Sequence, residues 1–138
     1  MPEAARRTIL AFDFGIQRIG VAVGEPETGT SHPLPGIEIA GAGRFAAIGR
    51  LVEEWRPAQL VVGLPLAANG HAHDLTRRAE RFARQLHGRF RLPVELVDER
   101  YSSLEAEHRL RGRRLGRLAA DSLAAQLILE QYLHDRAA

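Results

Sequence analysis

The sequence predicts an α/β fold in which a mixed β-sheet is covered by α-helices on both faces. Three observations predict it. The chain opens on short apolar runs separated by Gly-containing turns, it then alternates helical and strand patterns, and it closes on a long apolar-striped helix. Antiparallel pairing of the first strands followed by βαβ crossovers gives a sheet of mixed direction, and crossovers place helices on both faces.

The elements follow in order. Thr8 to Asp13, containing Ile9-Leu10-Ala11-Phe12, reads as a fully buried strand, and Ile19-Gly20-Val21-Ala22-Val23 as a second. The short connection Gly15-Ile16-Gln17-Arg18 suggests a hairpin between them. A polar stretch with Gly29, Pro33 and Pro35 leads to a weaker third strand around Ile37 and Ile39, and Gly41 to Gly43 breaks the chain. Phe45, Ile48, Leu51, Val52 and Trp55 then fall on one helical face, and Pro57 stops that helix. Leu60-Val61-Val62 is a short buried strand ending in Gly63-Leu64-Pro65.

A polar loop through Asn69-Gly70 precedes a second helix with Leu75, Ala79, Phe82 and Leu86 as its inward stripe and Gly88 near its end. Pro93 starts the strand that ends at Asp98. Ser102 and Glu105 have the spacing of a capping box, which predicts a third helix there. After a basic stretch, a last helix is expected from about Ala119 to His134. No repeat or low-complexity segment interrupts the pattern, so residues 1–138 are expected to form a single domain.

Composition excludes several classes. The chain has no cysteine, which removes disulfides and thiolate metal sites. No apolar run approaches the roughly 20 residues of a membrane span, and the N-terminus lacks a signal-peptide core, so a cytoplasmic protein without membrane contact is expected. All 19 basic residues are Arg. Arg suits bidentate phosphate contacts, although GC-rich codon usage produces the same composition.

Three acidic positions stand out. Asp13 closes the first strand, Asp98-Glu99 closes the last, and Asp121 opens an apolar stretch near the C-terminus. Carboxylates at the ends of buried elements lose hydration as those elements pack. In a sheet with crossovers, ligands collect at the carboxyl ends of parallel strands. Asp13 and Asp98-Glu99 both end strands and could face one crevice; a turn-forming Asp and a surface ion pair are the plainer alternatives. On a helical wheel, Ala125, Ile128 and Tyr132 lie within about 40° of Asp121, which directs that position toward the sheet; an N-cap is the alternative.

Carboxylates converging on one crevice repel one another unless cations intervene. All-oxygen ligation suits Mg²⁺ or Mn²⁺, not zinc. Two such ions about 4 Å apart activate water and stabilise the leaving oxygen in phosphodiester cleavage. Arg109, Arg111, Arg113, Arg114 and Arg117 crowd a Gly-interrupted segment before Asp121, where they could hold a phosphate backbone or simply form a solvated loop. His71 and His73 beside Asp74 read as polar loop residues rather than metal ligands.

Four ordered motifs resemble one family. Phe12-Asp13-Phe14-Gly15 with Arg18-Ile19-Gly20-Val21-Ala22-Val23 is similar to the opening of the YqgF (RuvX) family of RNase H-like nucleases. Val62-Gly63-Leu64-Pro65-Leu66 with Gly70, Asp98-Glu99-Arg100-Tyr101-Ser102-Ser103 with Glu105-Ala106, and Asp121-Ser122-Leu123-Ala124-Ala125 with Ile128-Leu129 resemble its later motifs. Gly29-Thr30 and Pro33-Leu34-Pro35 also have the family's look.

The resemblance implies an RNase H-like fold with a five-stranded mixed sheet. It implies that Asp13, Glu99 and Asp121 are the catalytic metal ligands, and that Arg18, Arg100 and the Arg109–Arg117 segment bind the strand being cut. The activity implied is metal-dependent phosphodiester hydrolysis on structured RNA or branched DNA: maturation of the 5′ end of pre-16S rRNA first, Holliday junction resolution second. Two residues depart from the pattern: Ile16 stands where Thr is frequent, and Ala119 where a Lys often precedes the last Asp. Both put local phosphate grip, not catalysis, in question.

Other classes remain open on the residues. A sugar-kinase or actin-type phosphate-binding lobe has a similar opening but needs two lobes. A non-catalytic module binding nucleic acid or a transcription factor would keep the acidic cluster as a relic. Paired incision of a junction would require a symmetric dimer, and the sequence has no obvious dimer seam, so a monomer or weak homodimer is expected.

Overall fold

The computed structural model describes residues 7–15, 17–38, 43–65, 74–98 and 117–137, with the side chains of 117–121, 136 and 137 set aside. The elements are β1 (Ile9–Phe14), β2 (Arg18–Glu25), β3 (Thr30–Glu38), α1 (Arg44–Trp55), β4 (Gln59–Leu64), α2 (Asp74–Phe90), β5 (Val94–Asp98) and α3 (Arg117–Ala137). The five strands form one mixed sheet in the order β3-β2-β1-β4-β5. β1, β2 and β3 pair antiparallel, whereas β1, β4 and β5 run parallel. The expected mixed sheet with helices on both faces is what the chain forms.

β1 and β4 occupy the middle of the sheet, which is why both read as continuous apolar runs instead of alternating ones. Their side chains nevertheless divide between two cores. Leu10, Phe12, Phe14, Leu60 and Val62 join Ile48, Phe82 and Leu86 of α1 and α2. Ile9, Ala11, Ala22 and Val61 join Ala125, Ile128, Leu129, Tyr132 and Leu133 of α3 on the other face. Phe82 anchors the first core, its ring centroid 5.0 Å from Phe14 and 6.0 Å, edge to face, from Phe12.

The two hairpins each need a glycine. Gly15 donates its N–H to the Arg18 carbonyl, and a Cβ at Gly15 would stand 2.7 Å from that oxygen. Gly29 takes φ +67° in the β2–β3 turn, a left-handed conformation favourable to glycine.

The third strand departs from the expected position around Ile37 and Ile39: it runs Thr30–Glu38 and contains both prolines. β3 is an edge strand, and an edge tolerates residues that cannot donate to a ladder. A bulge accompanies them: Ile19 pairs with Ile37 but Val21 pairs with Leu34, so Gly20 faces two residues, Pro35 and Gly36. Ile39 and the helix expected from Ser102 lie outside the described residues. Among the described residues no helix is long and apolar enough to cross a membrane.

Candidate active site

Asp13 is half-buried near the carboxyl end of the central strand β1. Side chains alternate along a strand. Because Ile9 and Ala11 lie in the α3-side core, Asp13 is turned to that same face. Its ladder neighbours are Gly20 on β2 and Gly63 on β4. Neither has a side chain, so the sheet surface on each side of the carboxylate is backbone alone. Since β1, β4 and β5 are parallel, their carboxyl ends share one edge of the sheet. Gly63 pairs onward with Val97 and Leu64 with Asp98.

α3 lies across this face. Its apolar stripe of Ala125, Ile128, Leu129, Tyr132 and Leu133 packs on β1, β2 and β4, and the helix comes close enough that a Cβ on Gly24 would stand 2.8 Å from Leu129 Cδ2. Two polar side chains fix it as well. The Ser122 hydroxyl, buried at 1% exposure, accepts the Val21 N–H at 3.4 Å and donates to the Leu34 carbonyl. Gln126 Nε2 donates to the Ser31 carbonyl at 3.0 Å. Asp121 is the helical residue just before Ser122, at the phase of Ile128 and Tyr132, whose side chains meet the sheet.

The end of β4 is tethered too. The buried Thr76 hydroxyl of α2 donates to the carbonyl of Pro65, which holds the Gly63-Leu64-Pro65 motif against the start of that helix.

Arg18 begins β2 on the same face and at the same end of the sheet as Asp13, and its guanidinium lies 3.8 Å from Glu38. Arg117 and Asp121 fall within the backbone of α3. Glu99, Arg100, Arg109, Arg111, Arg113 and Arg114 lie outside the described residues. Of the three expected ligands, the structure therefore gives Asp13 in full and Asp121 by position. Among the described residues no three His, Asp or Glu side chains come together as a metal-binding group.

Two features escaped sequence reasoning. The glycines flanking Asp13 emerge only from the strand register, which periodicity does not reveal. The solvent face of α2 carries Arg77, Arg78, Arg81 and Arg84, all exposed, but α2 packs on the sheet face opposite to Asp13. A cavity of about 380 Å³ between β5 and the end of α3 does lie on the Asp13 side. Glu95, Asp98 and Asp135 line it, a charge that repels phosphate.

With this geometry in view, the chain can be set beside known proteins. The profile of the family described as "RuvX: Holliday junction resolvase" matches residues 7–135. A Methylobacillus flagellatus protein named "Putative pre-16S rRNA nuclease" is 51% identical over 140 residues, covering 96% of each chain. A Burkholderia lata protein of the same name is 53% identical over 136 residues, covering 95% of this chain and 91% of its own. Among solved structures, Thermus thermophilus RuvC superposes with a TM-score of 0.58 at 14% identity, covering 94% of this chain and 96% of its own. RuvC from the same organism in complex with a Holliday junction substrate gives 0.59 at 15% identity, covering 94% and 95%. The RuvC likeness carries the RNase H-like fold, and the profile match together with relatives at half identity over nearly their whole length settles the lineage: this chain belongs to the RuvX family.

Proposed function

We propose that this protein is a divalent-metal-dependent nuclease that hydrolyses phosphodiester bonds in precursor 16S rRNA, with Asp13, Glu99 and Asp121 as its cation ligands. The observation that carries the proposal is the setting of Asp13. A carboxylate stands at the carboxyl end of the central parallel strand, between two residues without side chains, beneath the helix that bears Asp121. The rRNA substrate is supported by the names of relatives more than half identical to this chain.

The donor chemistry fits a hard cation. Asp and Glu offer only oxygen, the ligand type Mg²⁺ and Mn²⁺ accept, and the two ladder partners of Asp13 are both glycines. When bound, such cations supply Lewis acidity and relieve the repulsion among the carboxylates. The protein's own residues orient the reaction. Asp13 is held by the middle of the sheet, Arg18 offers a guanidinium on the same face to a phosphate oxygen, and the Arg109–Arg117 segment adds backbone contacts along the nucleic acid.

The test is direct. Wild-type protein and Asp13→Asn are each incubated with Mg²⁺ or Mn²⁺ and either precursor 16S rRNA or a four-way DNA junction. The expected result is cleavage of the rRNA by the wild type, with the variant slower by well over the roughly 10–100-fold that loss of a supporting partner costs. Cleavage of the junction and not the rRNA would move the assignment to resolution. Wild-type rates from Asp13→Asn would remove the active site itself.

A further inference from the structure

We propose that Ser122 is a positioning residue for the metal site: its hydroxyl, set into the β2–β3 ladder, fixes where α3 presents residue 121 relative to Asp13. This inference rests on the proposed role of Asp121.

The geometry runs through four consecutive relationships. Ser122 Oγ joins the Val21 N–H to the Leu34 carbonyl, two groups of paired residues on neighbouring strands. That pair borders the bulge, where Gly20 faces Pro35 and Gly36. Gly20 is in turn the ladder partner of Asp13. Asp121 is bonded in chain to Ser122, so its Cα is about 3.8 Å from that of the anchored residue. The hydroxyl therefore ties the residue next to one proposed ligand to the strand position beside the other.

Among the described residues, the α3 side chains Ala125, Ile128 and Leu129 pack on the sheet through apolar contacts, and apolar contacts are non-directional, so by themselves they leave a helix able to slide or roll by fractions of an ångström. Gln126 adds a second hydrogen bond, but to Ser31, farther along the edge strand. Cation ligation is less forgiving. Mg²⁺ demands near-octahedral geometry at about 2.0–2.1 Å, and a functional group must be held within about 0.5 Å of its working position. A serine inside a helix ordinarily bonds to its own backbone; Ser122 bonds instead to two other strands.

The competing view makes Ser122 a satisfied buried hydroxyl that serves stability alone. Thr8 supplies the control: it is a buried hydroxyl on the chain leading into β1, bonded to Glu25 at 2.7 Å, at the opposite end of the strand from Asp13. Ser122→Ala, Thr8→Val and Asp121→Asn are compared with the wild type by thermal melting, by calorimetric titration with Mn²⁺ in the absence of nucleic acid, and by cleavage kinetics. Ser122→Ala is expected to weaken Mn²⁺ binding and lower kcat by about 10–100-fold, the effect of losing a supporting partner, with KM for nucleic acid unchanged. Thr8→Val should lose comparable thermal stability and keep wild-type Mn²⁺ affinity.

Folded Ser122→Ala with wild-type Mn²⁺ affinity and kcat overturns the proposal, as does an equal loss of affinity in Thr8→Val. If Ser122→Ala does not fold, Ser122→Cys, which keeps a weak donor in nearly the same volume, reads the same quantities against the same criteria. An active Asp121→Asn removes the site reading itself; an inactive Asp121→Asn beside a normal Ser122→Ala removes only the role of the serine.

Discussion

Gly63 stands directly beside Asp13 in the parallel β1–β4 ladder, so the ladder position on that flank of Asp13 carries no side chain. The buried glycine keeps the face of the sheet at backbone height where a ligand has to approach. Gly63→Val should therefore reduce kcat/KM by well over 10-fold while unfolding remains cooperative, at a stability cost of about 1–3 kcal/mol from overpacking. Steady-state kinetics alongside a urea melt measures both. Full activity in a folded Gly63→Val protein would mean that the space beside Asp13 is not used.

A second glycine tests how α3 is seated. Gly24→Ala would push a methyl to 2.8 Å from Leu129 Cδ2 and 3.0 Å from the Thr30 carbonyl. We expect a loss of about 1–3 kcal/mol. Leu129→Ala alone should lose about 2–5 kcal/mol through its cavity. Combined, the two should cost less than their sum, because the shortened side chain makes room for the new methyl. Strict additivity in denaturant titrations would contradict the packing.

Phe82 is the keystone of the α1/α2 core. It is 1% exposed, and its ring contacts Phe12, Phe14 and Phe45, with centroids at 6.0, 5.0 and 6.1 Å. Phe82→Ala should destabilise the protein by about 3–5 kcal/mol, read as a lower urea midpoint with little change in m-value. A shift below about 1 kcal/mol would show that the core tolerates the void.

Glu27 gives a small pH effect of known sign. Its carboxylate accepts the Arg7 N–H at 3.1 Å, and this bond, followed by the one from its own N–H, holds its pKa below the usual value. The folded pKa is thus lower than the unfolded one. The interaction stabilises the fold above the unfolded pKa and is lost as pH falls through the folded pKa. An NMR titration should find the Glu27 carboxylate below the ordinary glutamate value, and Glu27→Gln should erase this part of the acid-side slope. A Glu27 midpoint at or above the ordinary value would refute the contact.

Much of the fold was legible from period and punctuation. β1, β2 and β4 are buried runs bounded by Gly and Pro, and α1 and α2 carry clear 3.6-residue stripes, so local pattern and tertiary role agree. β3 was misread because its prolines argue against a ladder. What rescues it is its place at the sheet edge, a property of topology that one segment cannot encode. The site was legible in part. Asp13 announced itself by closing an apolar run, and the helical phase of Asp121 followed from counting. The glycine neighbours of Asp13 and the docking of Ser122 depend on which residues face each other across strands, and register is set by long-range pairing rather than by nearby sequence.

The edge position of β3 has a use of its own. Leu34 directs its carbonyl inward to Ser122, so by alternation Ser31 and Pro33 direct their backbone groups outward. On that outer rim the Ser31 oxygen is already occupied by Gln126, and Pro33 has no amide hydrogen to offer. A stray extended chain meeting this margin finds one acceptor already engaged and one donor missing, which makes the edge a poorer template for a sixth strand. The sheet discourages growth on the side where the nuclease carries its bulged, proline-bearing strand.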